Sequence, residues 1–309
     1  MIRRNLTKLA FGLLLISVTP LPAFGEDPVV SASKEYFKLG NDYFKARLYK
    51  KAVESYELCV EKDPKHKEAW YNLGAANAKL RKYKKEIESY KKAIAIDSLY
   101  VKAIYNLALA YEDMGELENA LEQYADVIKK TPRSAGAPVD ALVNMGILQA
   151  QLGNLVDAVK SYQDALSHDP KHTDAWFNLG IARARLGDKE KDEVKKQALL
   201  AKERDAYQKV VEIKPSYHKG WYNLAIAYNK LGEMDNEIIA YEKALEGREQ
   251  YPQALYNLAY AYEEKGQIEK AIATWTRYVE IAAKLPTEQQ YVQEAKNELE
   301  RLIRSRSEK

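Results

Sequence analysis

Apolar positions along this chain recur with the spacing of helices, and the helices recur in pairs. In the segment beginning at Trp70, the apolar or small positions are Trp70, Leu73, Gly74 and Asn77/Ala78, at i, i+3, i+4 and i+7. A second periodic segment follows, carrying an aromatic ring at a fixed place: Tyr56, Tyr90, Tyr124, Tyr162, Tyr207, Tyr241 and Trp275. Gly115, Gly153, Gly187, Gly232 and Gly266 lie where the leading helices are expected to stop, since glycine readily takes the left-handed C-cap conformation. Pro64, Pro132, Pro170 and Pro215 close four of the pairs. Within each pair, Gly74 and its equivalents leave room for a close crossing, opposite Ala52, Ala120, Ala158 and Ala271. Glu86, Glu203 and Glu237 replace that alanine in three pairs. Looser crossings are expected there, with the carboxylates reaching toward water.

The pairs repeat every 34 residues: Tyr36-Phe-Lys-Leu-Gly40, Trp70-Tyr-Asn-Leu-Gly74 and Ile104-Tyr-Asn-Leu-Ala108 follow one another at that spacing. Leu142-Val-Asn-Met-Gly146, Trp176-Phe-Asn-Leu-Gly180, Trp221-Tyr-Asn-Leu-Ala225 and Leu255-Tyr-Asn-Leu-Ala259 complete the series. This pattern resembles the tetratricopeptide repeat over residues 33–285. The resemblance implies an all-α fold, an α-solenoid winding as a right-handed superhelix of seven helix–turn–helix repeats. Their expected bounds are 33–66, 67–100, 101–134, 139–172, 173–217, 218–251 and 252–285, with a capping helix and basic tail over 286–309. Each unit leaves an apolar face bare, so only stacking on neighbours completes a core. Thr287 is the expected N-cap of the last helix, with Tyr291, Val292, Ala295, Leu299 and Leu302 on its core side. Glu288, Glu294, Lys296, Glu300 and Arg301 fall on its solvent side.

Two places break the period. Residues 135–138 add four between the third and fourth repeats. Residues 188–198 add eleven in the fifth, rich in good helix formers. Eleven residues are close to three turns, about 16 Å of helix. They are expected at the start of the fifth repeat's second helix, standing in solvent.

The first 25 residues read differently. Arg3, Arg4 and Lys8 precede an apolar run from Leu9 to Val18, followed by Pro20, Pro22 and Ala23-Phe24-Gly25. That succession is expected to be a signal peptide cleaved between Gly25 and Glu26, with 26–32 as a linker. The mature chain would then be periplasmic or secreted, and an N-terminal membrane anchor is the alternative. Removing three basic residues from 48 leaves 45 against 45 acidic ones, a formal net charge of zero. A neutral chain has no general attraction for nucleic acid. Cys59 is the single cysteine, so no intrachain disulfide forms, and a buried position is expected.

Catalytic chemistry finds no constellation here. His66, His168, His172 and His218 lie at or near junctions between repeats and read as solvated loop residues; Pro170 separates the middle two. There is no nucleophile elbow and no phosphate-binding glycine loop. No enzyme activity, cofactor or metal is expected.

The pattern pointing to function is the residue before the repeated asparagine: Phe37, Tyr71, Tyr105, Val143, Phe177, Tyr222 and Tyr256. The resemblance implies that this position points into a concave groove lined by first helices, while Trp70, Trp176 and Trp221, one residue earlier, face the core. Beside the row stand Asn72, Asn106, Asn144, Asn178, Asn223 and Asn257, whose amides can pair with a peptide backbone or with neighbouring helices. The family's carboxylate clamp for chaperone tails needs two Lys, two Asn and an Arg. At the matching places stand Phe37, Asn41, Asn72, Lys102 and Asn106, so one Lys and the Arg are missing. The expected function is an exocytoplasmic scaffold binding a partner peptide or helix in its groove. The alternatives are a self-assembling scaffold, or a non-catalytic subunit or regulator of an envelope enzyme or glycan-associated complex.

Overall fold

A computed structural model describes residues 28–132 and 138–307. The expected signal peptide, its cleavage point and residues 135–137 of the first insertion lie outside the described residues.

The described residues form fifteen α-helices in two compact units. The first unit holds α1 (Pro28–Lys45), α2 (Tyr49–Lys62), α3 (Lys67–Lys79) and α4 (Tyr83–Ile96), so α1 begins inside the stretch 26–32 expected as a linker. The second holds α5 (Val101–Asp113), α6 (Leu117–Lys130), α7 (Val139–Gln151), α8 (Leu155–His168), α9 (Thr173–Lys189) and α10 (Glu193–Ile213). It continues with α11 (His218–Lys230), α12 (Met234–Gly247), α13 (Pro252–Glu264), α14 (Ile268–Ala282) and α15 (Gln289–Ser307). Helices pack in consecutive pairs, and within each unit each pair packs on the next. The expected seven helix–turn–helix repeats and a final capping helix are therefore present.

The cores follow the predicted ring. Tyr56 anchors the first unit among Ala52, Val53, Cys59, Ala69 and Leu73. In the second unit Tyr162, Tyr207, Tyr241 and Trp275 do the same, and all are buried. Cys59 is fully buried as expected, with the Ser33 hydroxyl 3.3 Å from its sulfur.

Gly115, Gly153, Gly232 and Gly266 take φ of 74°, 87°, 72° and 74° and end their helices. At the first of them the Glu116 amide donates to the Tyr111 carbonyl and the Gly115 amide to Glu112, both at 2.9 Å, which satisfies carbonyls the helix leaves open. Arg47 and Arg81 hold the same place in the first two repeats at φ 60° and 54°, without a glycine.

Gly187 differs, and the expectation for it needs correction. It lies inside α9, which runs on to Lys189. The other leading helices from α3 onward have 13 residues and α9 has 17; the second helices α4, α6, α8 and α12 have 14 and α10 has 21. The eleven extra residues are thus divided, four to α9 and seven to α10, rather than placed wholly in the second helix. The turn between them, 190–192, is as short as its counterparts. Asp192 restarts the chain as an N-cap, its carboxylate accepting from the Lys195 amide at 3.0 Å. The lengthened tip stands in solvent, with Val194 81% exposed.

The crossing carboxylates also depart from expectation. Glu86, Glu203 and Glu237 are buried, at 4%, 2% and 4% exposure. Glu203 lies 3.3 Å from the Lys230 ammonium, which also reaches Asp188 at 3.5 Å. Both oxygens of Glu237 accept from the Asn229 amide at 3.1 Å. Partners brought from elsewhere in the fold make burial tolerable without removing its cost. Burial holds the Glu237 carboxyl above the usual range, against the opposing hydrogen bond from Asn229. A carboxyl raised on folding contributes stability in full below its unfolded value, near about pH 4.3, and loses it as pH climbs through the raised folded value. Glu237→Gln is therefore expected to melt above the parent chain at pH 7, with the difference shrinking toward pH 4. Thermal melts of both chains across that window check it, and a difference independent of pH would refute it.

At the C-terminus, Pro286–Glu288 forms a short 3-10 turn before α15. Thr287 lies within that turn and does not cap the helix, while Glu288, expected in solvent, is 6% exposed. Val292, Ala295 and Leu302 are buried as expected, and Tyr291 remains 42% exposed.

Candidate functional site

Every aromatic member of the predicted row is half-buried, with its ring leaning on a buried ring of its own repeat. In the first unit Phe37 lies 6.1 Å from Tyr56, and Tyr71 lies 5.7 Å from Tyr90, between ring centres. In the second unit Tyr105 meets Tyr124 at 5.7 Å, Phe177 meets Tyr207 at 5.8 Å and Tyr222 meets Tyr241 at 5.9 Å. Tyr256 stands edge-on to Trp275 at 5.1 Å. Val143 interrupts the row and is buried. The rings share a helix-facing side that is packed and keep an open side, which suits them to contact at low entropy cost.

The asparagines behave less uniformly. Asn72 donates to the Asn41 carbonyl oxygen at 2.8 Å, and that same oxygen accepts from the Tyr56 hydroxyl at 2.8 Å. Asn144 donates to the hydroxyls of Tyr105 and Tyr124 at 3.1 and 3.2 Å, and Asn257 to that of Tyr222 at 3.4 Å. Asn223 donates to the Lys219 carbonyl of its own helix at 2.8 Å. Asn106 and Asn178 are half-buried beside the row. The amides of Asn72, Asn144 and Asn257 thus stitch each repeat to the one before it, the second of the two roles open to them. Such bonds fix which way the tyrosine hydroxyls point.

The tryptophans require correction. Trp70, Trp176 and Trp221 are only half-buried, and each indole N–H donates to a proline carbonyl six residues earlier: Pro64 and Pro170 at 2.9 Å, Pro215 at 2.7 Å. They clamp the junctions between repeats. Ile104, Leu142 and Leu255 at the same position are the buried ones.

A second aromatic tier escaped the sequence reading. In three repeats the N-cap residue of the first helix packs on the row ring of the preceding repeat: His66 on Phe37 at 4.5 Å, Tyr217 on Phe177 at 5.4 Å and Tyr251 on Tyr222 at 5.0 Å. The signal was available, because His66, Tyr100, His172, Tyr217 and Tyr251 occupy equivalent places. His66 and His172 are not solvated loop residues. Their Nδ1 atoms accept from the amides of Ala69 and Ala175 at 3.3 and 3.1 Å, capping α3 and α9.

Burial governs the electrostatics of these rings. It pushes the phenols of Tyr105 and Tyr222 up, with nearby Asp140 adding to the first and Glu288 to the second. Both therefore stay neutral hydrogen-bonding groups through the physiological range. Among the described residues, no group of three or more His, Cys, Asp or Glu is placed to hold a metal ion. None of their helices is long and apolar enough to cross a membrane.

Four family models, each described as tetratricopeptide repeat, match residues 37–100 and 143–218, 102–134, 218–250 and 240–273. No curated protein matches the chain. Among solved structures, the C-terminal part of a TPR repeat-containing protein from Cytophaga hutchinsonii is similar at a TM-score of 0.67 and 16% identity. That likeness covers 82% of this chain and 98% of the other. A tetratricopeptide repeat protein from Parabacteroides merdae gives 0.55 and 17%, covering 86% and 99%. YrrB, described as a TPR protein with an unusual peptide-binding site, gives 0.54 and 16%, covering 66% and 98%. Identities this low establish a common fold.

Proposed function

Because the chain belongs to the tetratricopeptide-repeat family, we propose that it is a non-catalytic scaffold that binds a segment of another protein along the row of first-helix rings. The observation that carries this reading is the row itself. In the second unit, Tyr105, Phe177, Tyr222 and Tyr256 are each held by a buried ring of their own repeat and remain only half-buried. A surface of pre-positioned aromatic rings is the usual basis of binding hot spots. The peptide-binding site named for YrrB, which shares the fold, supports the same use. Asn72, Asn144 and Asn257 act here as positioning groups for the tyrosines, whereas Asn41, Asn106, Asn178 and Asn223 flank the binding face.

The test compares capture of crosslinked partners from the native source by the full chain and by three variants. Tyr105→Ala, Phe177→Ala and Tyr222→Ala should each weaken capture by about 1–3 kcal/mol. Val156→Ala, an exposed residue of α8 outside the row, should leave it unchanged. Because the rings also contact buried tyrosines, each variant's melting temperature is recorded. Binding losses that only track stability losses would make the row structural and sink the reading.

The scaffold is further proposed to act outside the cytoplasm, on the strength of the charged, apolar and small-residue succession in residues 1–25. The intact mass of the exported protein should correspond to a chain beginning at Glu26. A chain still beginning at Met1 would make the segment an anchor.

A further inference from the structure

The aromatic row ends at the C-terminal cap in a half-open pocket that differs from the rest of it. Tyr222 of α11, Tyr256 of α13, Tyr278 of α14 and Tyr291 of α15 surround a cavity of about 320 Å³, with Gln253, Asn257 and Glu288 completing the lining. That volume lies at the small end of ligand sites. Tyr256 meets Tyr278 at 5.3 Å and 65°, and Tyr291 at 5.8 Å and 62°, so the rings form walls at steep angles to one another. Tyr291, 42% exposed, stands at the mouth, and Tyr278 is fully buried.

Glu288 is the only charged group of the lining, and it is 94% buried by its 6% exposure. One carboxylate oxygen accepts from Gln253 Nε2 at 2.5 Å and the other from the Tyr278 hydroxyl at 3.2 Å. A carboxylate offers about four acceptor sites, so these two bonds leave capacity for further donors. Glu294 adds a second acid at the rim, its carboxylate accepting from Tyr260 at 3.0 Å. Burial pushes up the phenol of Tyr278 and Glu288 adds to it; at Tyr256 burial is opposed by the hydrogen bond with Tyr260 and reinforced by Glu294. Aromatic faces beside a buried acid attract an organic cation. The same cluster already holds one: the Arg248 guanidinium lies 5.1 Å over the Tyr251 ring, which packs on Tyr222 at 5.0 Å.

We propose that this pocket takes the cationic side chain, lysine or arginine, of the protein segment bound along the row. The proposal rests on the scaffold reading and adds its chemical selectivity: rings embrace the cation's flanks while Glu288 faces its charge. It also assigns the 3-10 turn a purpose. By delaying the start of α15, the turn brings Glu288 inward beside Gln253 rather than out onto the helix surface.

The test needs no natural partner. The full chain is titrated with Nα-acetyl-lysine methylamide and Nα-acetyl-arginine methylamide, followed by NMR of the tyrosine rings. The uncharged norleucine analogue and tetramethylammonium chloride serve as comparison probes. The expected result is saturable shifts at Tyr256 and Tyr291, with the lysine or arginine probe binding at least about tenfold tighter than norleucine. Glu288→Gln should weaken that binding about tenfold. Tyr291→Ala, which alters an exposed ring and leaves the fold intact, should weaken it several-fold even if the first variant is unstable. Equal binding of norleucine, or no saturation by any amide, overturns the proposal. Saturation by tetramethylammonium alone overturns it too, by assigning the pocket to a free quaternary ammonium. If the amides bind but row variants capture partners normally, the pocket stands and the scaffold reading fails. Loss of capture on the row with no amide binding fails the pocket alone.

Discussion

Trp275→Ala is expected to lower stability by about 3–5 kcal/mol, the range for removing a fully buried large aromatic side chain. Trp275 is completely buried and stands edge-on to Tyr256 at 5.1 Å, Tyr260 at 4.9 Å and Tyr278 at 5.9 Å. Removing it takes away a ring that Tyr256, Tyr260 and Tyr278 all touch. Repeat arrays distribute stability between adjacent units, so the loss should appear first as fraying of α13 to α15. Urea unfolding gives the total, and hydrogen exchange of the α14 amides locates it. Trp275→Tyr, which installs the ring used by the other six repeats, should recover most of the loss. A change below about 1 kcal/mol for the alanine variant would show that the cluster collapses around the gap.

Gly146→Leu should cost about 3 kcal/mol, the upper part of the range for overfilling a packed crossing. A Cβ at this glycine would lie 2.6 Å from Cε1 of Tyr162, so this buried ring must shift even for alanine, and leucine adds three further carbons at the same crossing. Gly146→Ala should cost much less, since Ala108, Ala225 and Ala259 hold the same position in three other repeats. Seven residues on, Gly153 has nothing within 4 Å of its would-be Cβ, but its φ is 87°. Its replacement by alanine should cost about 1 kcal/mol through the backbone alone. Denaturant midpoints of the three variants separate steric from conformational demand. Equal losses for Gly146→Ala and Gly146→Leu would contradict the steric account.

The repeats were legible because helix pairing is written locally. A 34-residue period, an aromatic anchor and a left-handed stop each depend on neighbours a few residues away. What the chain hid depends on partners at no regular spacing. Glu203 is buried because Lys230, 27 residues later, reaches it, and Glu237 because Asn229 folds back from the preceding helix. Treated alone, either carboxylate belongs in water. The tryptophans could have been placed better, because Trp70, Trp176 and Trp221 each follow a proline by six residues and the repeats without such a proline lack the indole. The division of the insertion was also partly readable, since Asp192 followed by Glu193 is a helix start and Gly187 does not by itself forbid a helix. For the candidate site, the repeat spacing picked out the half-buried rings beside the asparagines, and their use as a binding face came from the family resemblance. The packing of capping residues onto them was not legible, because it joins consecutive repeats through side chains rather than through sequence period.

The split of eleven residues into four and seven around an unchanged three-residue bend makes the fifth repeat an outlying peninsula on a conserved coastline. New chain entering at such a bend travels outward and back, so everything inland keeps its position. The bend at 190–192 is thus a natural port for engineered cargo, such as an epitope, a fluorophore-bearing loop or a tethered second module. The fused part would be carried at the tip of the lengthened α9–α10 pair, which stands in solvent.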